Sequence, residues 1–222
     1  MASLYGVYRS RATRVIWAAA ELGVTLDMIP VIQAYRLEKA GIDPAAPDAP
    51  FNTRTPGFLA ISPAGAIPVL TDGDLVLTES LAIALYLARK AGGPVAPANA
   101  AEDAQMQQWA LYGAASIETP ALAITYAMSD GSAETPAGAV ALAGHVAALR
   151  RPFAVLDQHL AQHGHLVGGR FTVADSNMAE CVRYAQAHPV LADYPAVSRW
   201  LERCQARPAF QAMWAKRLQE PA

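Results

Sequence analysis

The chain has 222 residues, enough for one large domain or two modest ones. Hydrophobic residues make up 53% and charged residues 16%, which excludes a disordered chain and, with so much alanine, points to many packed helices. A formal net charge of -2, with Lys and Arg scattered, gives no electrostatic footprint for nucleic acid or an anionic membrane, so small molecules are the expected ligands.

From the start, "SLYGVY" (Ser3 to Tyr8) reads as a short strand. "ATRVIWAAAELG" then places Val15, Ile16, Ala19 and Leu22 on one helical face, closed by Gly23. "VTLDMIPV" follows as a second strand, which makes a β-α-β unit with a right-handed crossover. Gln33 to Gly57 is rich in Pro, Ala, Asp and Asn and reads as an extended connection with one short helix around Arg36 to Lys39. "AIPVLTDGDLVLTES" is a hairpin turning on Asp72-Gly73-Asp74, followed by a helix from Glu79 to Ala91. Gly92-Gly93-Pro94 opens a small-residue linker, so the expected division is residues 1-92, a linker 93-101, and an all-helical part 102-222. Its helices are expected at Glu102 to Met128, Ala139 to His163, Val173 to His188, Pro195 to Ala206 and Pro208 to Leu218.

Two cysteines, Cys181 and Cys204, lie far apart and suggest neither a disulfide framework nor a metal site, which fits a reducing cytoplasm. The start "MASLYGVYRSR" has no apolar signal core, and no unbroken apolar run of membrane-spanning length occurs, so no membrane partner is expected. The five histidines show no metal-binding spacing, and no metal is expected.

Chemistry concentrates in "SPAGAIPVLTDGDLVLTESLAIALYL". Proline has no N-H, so Pro68 between Ile67 and Val69 demands an edge strand, a bulge or a cis bond. An edge strand is the plainer solution; a cis bond turns the Ile67 main chain outward, where it can pair with an extended ligand. Glu79-Ser80 is an ordinary helix start or, with a ligand, a place where N-H groups and the Ser80 hydroxyl take a carboxylate while Glu79 takes an ammonium group.

In this order, "SPAGAIPVL", the DG hairpin and "LTESLAIALYL" resemble the glutathione-binding half of the cytosolic glutathione S-transferase superfamily, in particular bacterial-type members with a serine-type, theta-like site. "LYGVYRSRATRVIWAAAELGV", "LVGGRFTVADSNMAE" and "YPAVSRWLERCQARPAFQ" extend the resemblance along the chain. It implies an α/β thioredoxin-like N-terminal domain (βαβ-ββα) followed by an all-α helical bundle, assembled as a homodimer. It further implies that Pro68 is cis, that Ile67 pairs with the cysteinyl part of glutathione, and that Glu79 and Ser80 hold its γ-glutamyl end. Thr172 to Asp175 matches the family's capping box, where the cap alone is worth about 0.5–2 kcal/mol.

Glutathione is the implied cosubstrate, and its thiol needs a donor or positive field to ionise near neutrality. Ser10, between the first strand and first helix, is the expected catalytic residue; Tyr5, Tyr8, Thr13 and Arg11 are its competitors, and Ser10 as a plain turn serine is the bland alternative. No cysteine stands at this turn, so no protein-glutathione mixed disulfide can form in the first domain. Ser62 replaces the family's usual Asn, a mild change, and Ala66 replaces the Lys, Arg or Gln that meets the glycyl carboxylate; Asn52 or Arg54 is the expected substitute, unless both are solvated loop residues. The second substrate, a small hydrophobic electrophile, is expected against Trp109, Tyr112 and Ser116. Conjugation is the expected reaction; a glutathione-dependent isomerase, dehalogenase or peroxidase, or a non-catalytic binding protein on the same scaffold, are the alternatives.

Overall fold

The computed structural model describes residues 2–220, which form two compact units. One comprises the chain up to Ala91 together with the residues from Pro208 on; the other is Gly92–Arg207.

The first unit is built on a four-stranded sheet of β1 (Ser3–Tyr5), β2 (Asp27–Ile29), β3 (Val69–Asp72) and β4 (Leu75–Leu77), in the order β2-β1-β3-β4. β1 runs parallel to β2 and antiparallel to β3, with Leu4 opposite Met28 on one side and Leu70 on the other. β1 is shorter than the sequence suggests, ending before Gly6: a Cβ there would sit 3.0 Å from the Ala12 side chain, so glycine lets the next helix start against the strand end. That helix, α1 (Ala12–Glu21), buries Ala12, Val15 and Ala19 with Leu4, Leu70, Ile83 and Leu87. Its other side is buried too, since Trp17 meets the Phe210 ring edge-on at 4.9 Å. A single apolar face was the expectation; the last helix of the chain covers the second one.

The connection after β2 holds α2 (Ala34–Lys39) and α3 (Pro56–Leu59), joined by turns. The unit closes with α4 (Ser80–Ala91), after the hairpin, and with the C-terminal helix Pro208–Gln219. The expected division is corrected here, because Phe210 and Trp17 place the chain from Pro208 on with the first unit and not with the helices before it.

The second unit starts at Gly92, one residue before the expected linker, and takes that linker in. Arg170 donates to the Pro94 and Ala96 carbonyls and, bidentately, to Glu102 at 2.7 and 3.0 Å, so the Pro-containing segment is pinned and not free. Hydrogen bonds from Arg170, then from the Ala98 N-H, lower the Glu102 pKa to about 2. α5 (Ala100–Tyr112), a π-helical turn (Gly113–Glu118) and α6 (Thr119–Ser129) follow one another where a single helix was expected. α7 (Pro136–His163) begins at a Thr135 cap whose oxygen accepts the Gly138 N-H. Among the described residues it is the one helix long and apolar enough, by length and composition, to cross a membrane; it carries Arg150 and Arg151 and buries Leu149, Phe153, Leu156 and Leu160 as a bundle helix does. α8 (Val173–Val182) is buried along its whole length, and α9 (Pro195–Gln205) has its first N-H groups, Ala196 and Val197, capped by Asp157 of α7 at 2.7 and 3.0 Å. The helix expected to reach His188 gives way to 3-10 turns after Val182. The helix Pro208–Gln219 completes the numbering as α10.

Candidate active site

The Ile67–Pro68 peptide is cis, and it lies immediately before β3, which is an inner strand between β1 and β4. Blunting an exposed edge is therefore not what Pro68 does. The turn before it is locked: the Gly65 N-H donates to the Ser62 carbonyl at 2.8 Å, and the buried Ser62 hydroxyl donates to the Ala66 carbonyl at 3.1 Å. Gly65 has φ +59, and a Cβ on it would lie 3.0 Å from the Thr53 carbonyl, so this turn requires glycine. The Ile67 side chain packs toward Val31, Phe58 and Val69, whereas among the described residues nothing hydrogen-bonds to the Ile67 main-chain N-H or C=O. A half-buried main chain with both groups unused next to a sheet offers a strand-like docking edge.

At the start of α4 the two predicted residues differ sharply. Glu79 is exposed and adopts φ +66, the left-handed region that residues other than glycine seldom occupy. Ser80 is 4% exposed, and its hydroxyl accepts from Arg14 Nη1 at 3.2 Å. Arg14, on α1 and itself buried, is a residue that sequence reasoning passed over. It adds a positive charge to the end of α4 where the helix dipole is already positive, which favours an anion there. The available signal was a cation four residues after Ser10 on the buried side of an alanine-rich helix.

Ser10 sits in the loop between β1 and α1, half-buried. Its hydroxyl donates to the Val7 carbonyl at 2.7 Å and accepts the Ala12 N-H at 3.0 Å, so it locks the turn and satisfies the first N-H of α1 from outside the helix. Its competitors are placed elsewhere. The Thr13 side chain is fully buried and donates to the Ser10 carbonyl; the Tyr5 ring packs toward Phe58 at 6.4 Å; Tyr8 lies under Lys216, 5.8 Å from the ring centre; and Arg11 is exposed. The loop itself is tied down by the far end of the chain. Glu220 accepts the Tyr8 and Arg9 N-H groups with its two carboxylate oxygens, each at 2.8 Å, and Arg217 donates to the Tyr8 carbonyl at 2.6 Å.

The substitutes expected for the missing cation at Ala66 fare differently. Asn52 is 1% exposed, and its amide is consumed within its own loop: it donates to the Pro44 and Pro50 carbonyls and accepts the Arg54 N-H. This corrects its expected ligand contact, because no group of that side chain faces outward. Arg54 is exposed and pairs with Glu38 at the surface, a partner an incoming carboxylate can replace.

Comparison with known proteins places this geometry. The model for the N-terminal domain of glutathione S-transferases matches residues 4–95, and that for the C-terminal domain matches residues 124–208. Glutathione S-transferase 3 of Zea mays is 32% identical over 220 residues, covering 94% of this chain and 90% of that protein. The chain belongs to the glutathione S-transferase family. Elongation factor 1-gamma 2 of Oryza sativa is also similar, 31% identical over 173 residues, but this chain spans only 39% of its length and the match uses 72% of the chain. Among solved structures, a glutathione S-transferase-I bound with lactoylglutathione superposes with a TM-score of 0.75 at 26% identity, covering 97% of this chain and 99% of that one.

In the transferase's helical unit, the residues expected to receive the second substrate are partly engaged already. Trp109 is 7% exposed, with its ring 5.6 Å from that of Tyr112 and 4.8 Å from His159, so it belongs to the core. The Tyr112 hydroxyl donates to the Pro152 carbonyl at 3.4 Å, and burial raises its pKa above the ordinary phenol value. Ser116 is half-buried within the π-helical turn. Such turns recur at functional sites. Here the turn also brings Gly113 against Cys181 and Met178, where a Cβ would stand 3.3 and 3.4 Å from their side chains.

Proposed function

We propose that this protein is a glutathione transferase with a bacterial-type, serine-type (theta-like) site, joining the thiolate of glutathione to a small hydrophobic electrophile. The unused main chain of Ile67 carries the reading, since a tripeptide with an extended cysteinyl unit completes its hydrogen bonds. Glu79 takes the γ-glutamyl ammonium; Ser80 and the first turn of α4, with Arg14 behind them, take the γ-glutamyl carboxylate; Arg54 exchanges Glu38 for the glycyl carboxylate. Ser10 keeps the Ala12 N-H as its orienting donor and turns its proton from the Val7 carbonyl to the sulfur, so that the thiol loses its proton to solvent and the thiolate attacks. A carbon-sulfur bond forms. In displacement the leaving group departs with its electron pair, and in addition a neighbouring atom of the electrophile takes a proton. Tyr112 and Ser116 line the electrophile's side, and no metal takes part.

The two buried cysteines, Cys181 and Cys204, not joined in a disulfide, fit a cytoplasmic location, and exposed apolar side chains in each unit, Leu75 and Val76 in the first and Leu111 and Val140 in the second, fit a homodimer.

The test is the pH profile of conjugation with an activated aryl halide. Ser10→Ala is expected to lower kcat/KM at mildly acidic pH by about ten- to a hundredfold, with the loss shrinking as pH rises toward the free thiol value of about 8.5. An unchanged profile removes Ser10 from the mechanism. A second reading, a glutathione-fold binding or assembly module, is favoured by Ala66 and by the likeness to elongation factor 1-gamma. Absence of glutathione binding in millimolar calorimetry rejects the transferase reading and leaves this one ahead.

A further inference from the structure

Among the described residues, every main-chain polar group from Tyr8 to Ser10 has a partner except the Ser10 N-H. Glu220 takes the N-H groups of Tyr8 and Arg9; Arg217 reaches the Tyr8 carbonyl; Gln33 reaches the Arg9 carbonyl at 3.3 Å; and Thr13 closes on the Ser10 carbonyl through its N-H and hydroxyl. The Glu220 carbonyl additionally accepts from Arg9 Nε at 2.8 Å. Two consecutive amides held by one carboxylate are a rigid, charge-assisted clamp, and it lies one residue from Ser10 but 211 residues along the chain from Arg9. Loops without such ties sample several conformations, and a displacement of about 1 Å at a reacting group can cost about a hundredfold in rate.

We infer that Glu220, supported by Arg217, is a positioning residue for thiolate formation: it fixes the loop so that the Ser10 hydroxyl meets the glutathione sulfur. The inference rests on the role proposed for Ser10. Nothing in Glu220 touches substrate. Among the described residues, Arg9 binds the Glu220 carbonyl, Arg217 the Tyr8 carbonyl, and Lys216 lies over the Tyr8 ring, so cationic side chains stand beside the clamped loop. Arg217 and Glu220 thereby support the Ser10 loop of the first unit, although they follow the whole helical unit in sequence.

Glutamine is the informative replacement, because its amide offers one acceptor oxygen and sets an NH2 group against the second loop N-H. In Glu220→Gln, kcat is expected to fall about tenfold with the KM for glutathione little changed, and the pKa of the enzyme-bound thiol, followed by its ultraviolet thiolate band, to rise by about one unit. Arg217→Ala, which removes the tie to the Tyr8 carbonyl and leaves Glu220 in place, should move both quantities in the same direction by less. The decisive arm is the cycle with Ser10→Ala: a positioning residue acting through Ser10 adds no further loss in that background. An unchanged thiol pKa in both Glu220→Gln and Arg217→Ala, or a Glu220→Gln loss of equal size with and without Ser10, overturns the inference. If instead Ser10→Ala alone leaves the thiol pKa unchanged, the reading of Ser10 fails and takes the inference with it, so the two failures are told apart by the single variants.

Discussion

Glu79 carries a cost that its surroundings do not require. A non-glycine residue in the left-handed region is disfavoured by about 1–2 kcal/mol, and this one projects into solvent, where no packing rewards the choice. The conformation puts a carboxylate beside the positive end of α4, which itself stabilises an anion, and leaves that carboxylate open to solvent, where it can meet a cationic group. Glu79→Gly is therefore expected to stabilise the fold by about 1 kcal/mol, read as a higher denaturant midpoint at unchanged slope, while weakening glutathione binding several-fold. Equal or lower stability in that variant removes the argument from strain. The main-chain demands at Ser10, Pro68 and Glu79-Ser80, a turn lock, a missing N-H and a helix start, were legible in the sequence, whereas the binding and catalytic roles expected of these residues came from the family resemblance. The burial of Arg14 and the self-contained bonding of Asn52 depend on what packs over them, and no local pattern states that.

Among the elements, α8 shows what a wholly buried helix needs. With all ten residues Val173–Val182 out of water, its first N-H groups and the segment leading into it must be satisfied by protein. The Val173 N-H goes to the Val95 carbonyl at 2.9 Å, and Asp175 serves the segment before the helix from the third position: one oxygen accepts the Thr172 N-H and hydroxyl at 2.9 and 3.1 Å, and the other accepts the Leu166 N-H at 3.2 Å and the Trp200 indole at 2.8 Å. The capping box was readable from Thr172-Val173-Ala174-Asp175. Its link to Trp200 of α9 was not, since it spans 25 residues and two helices. Asp175→Ala leaves several buried donors without acceptors, and a loss of about 3 kcal/mol or more is expected in equilibrium unfolding, beyond an ordinary cap. A loss of under about 1 kcal/mol would return Asp175 to the role of a simple cap.

At the scale of the molecule, hydrophobic periodicity and turn chemistry were enough to read a mixed sheet followed by helices, because those signals are local. The membership of α10 was not local. Its amphipathic pattern says that it packs, but only the meeting of Phe210 with Trp17 says that it returns to the first unit, and the same return brings Glu220 to the Ser10 loop. The short helix α3 was missed for a similar reason, as its four residues, Pro56–Leu59, hold too little periodicity to announce a helix and are fixed by burying Phe58 beside Val31 and Val69. The proposed site joins the unused main chain of Ile67 to the Ser10 hydroxyl, which in the proposal leaves the Val7 carbonyl for the sulfur of a thiol lying along that edge. The most direct measurement is a crystal structure with glutathione bound. The cysteinyl N-H and C=O are expected on the Ile67 main chain, with the sulfur within hydrogen-bond distance of Ser10 Oγ. Glutathione bound elsewhere, or bound with Ile67 untouched and Ser10 still turned to Val7, contradicts the account.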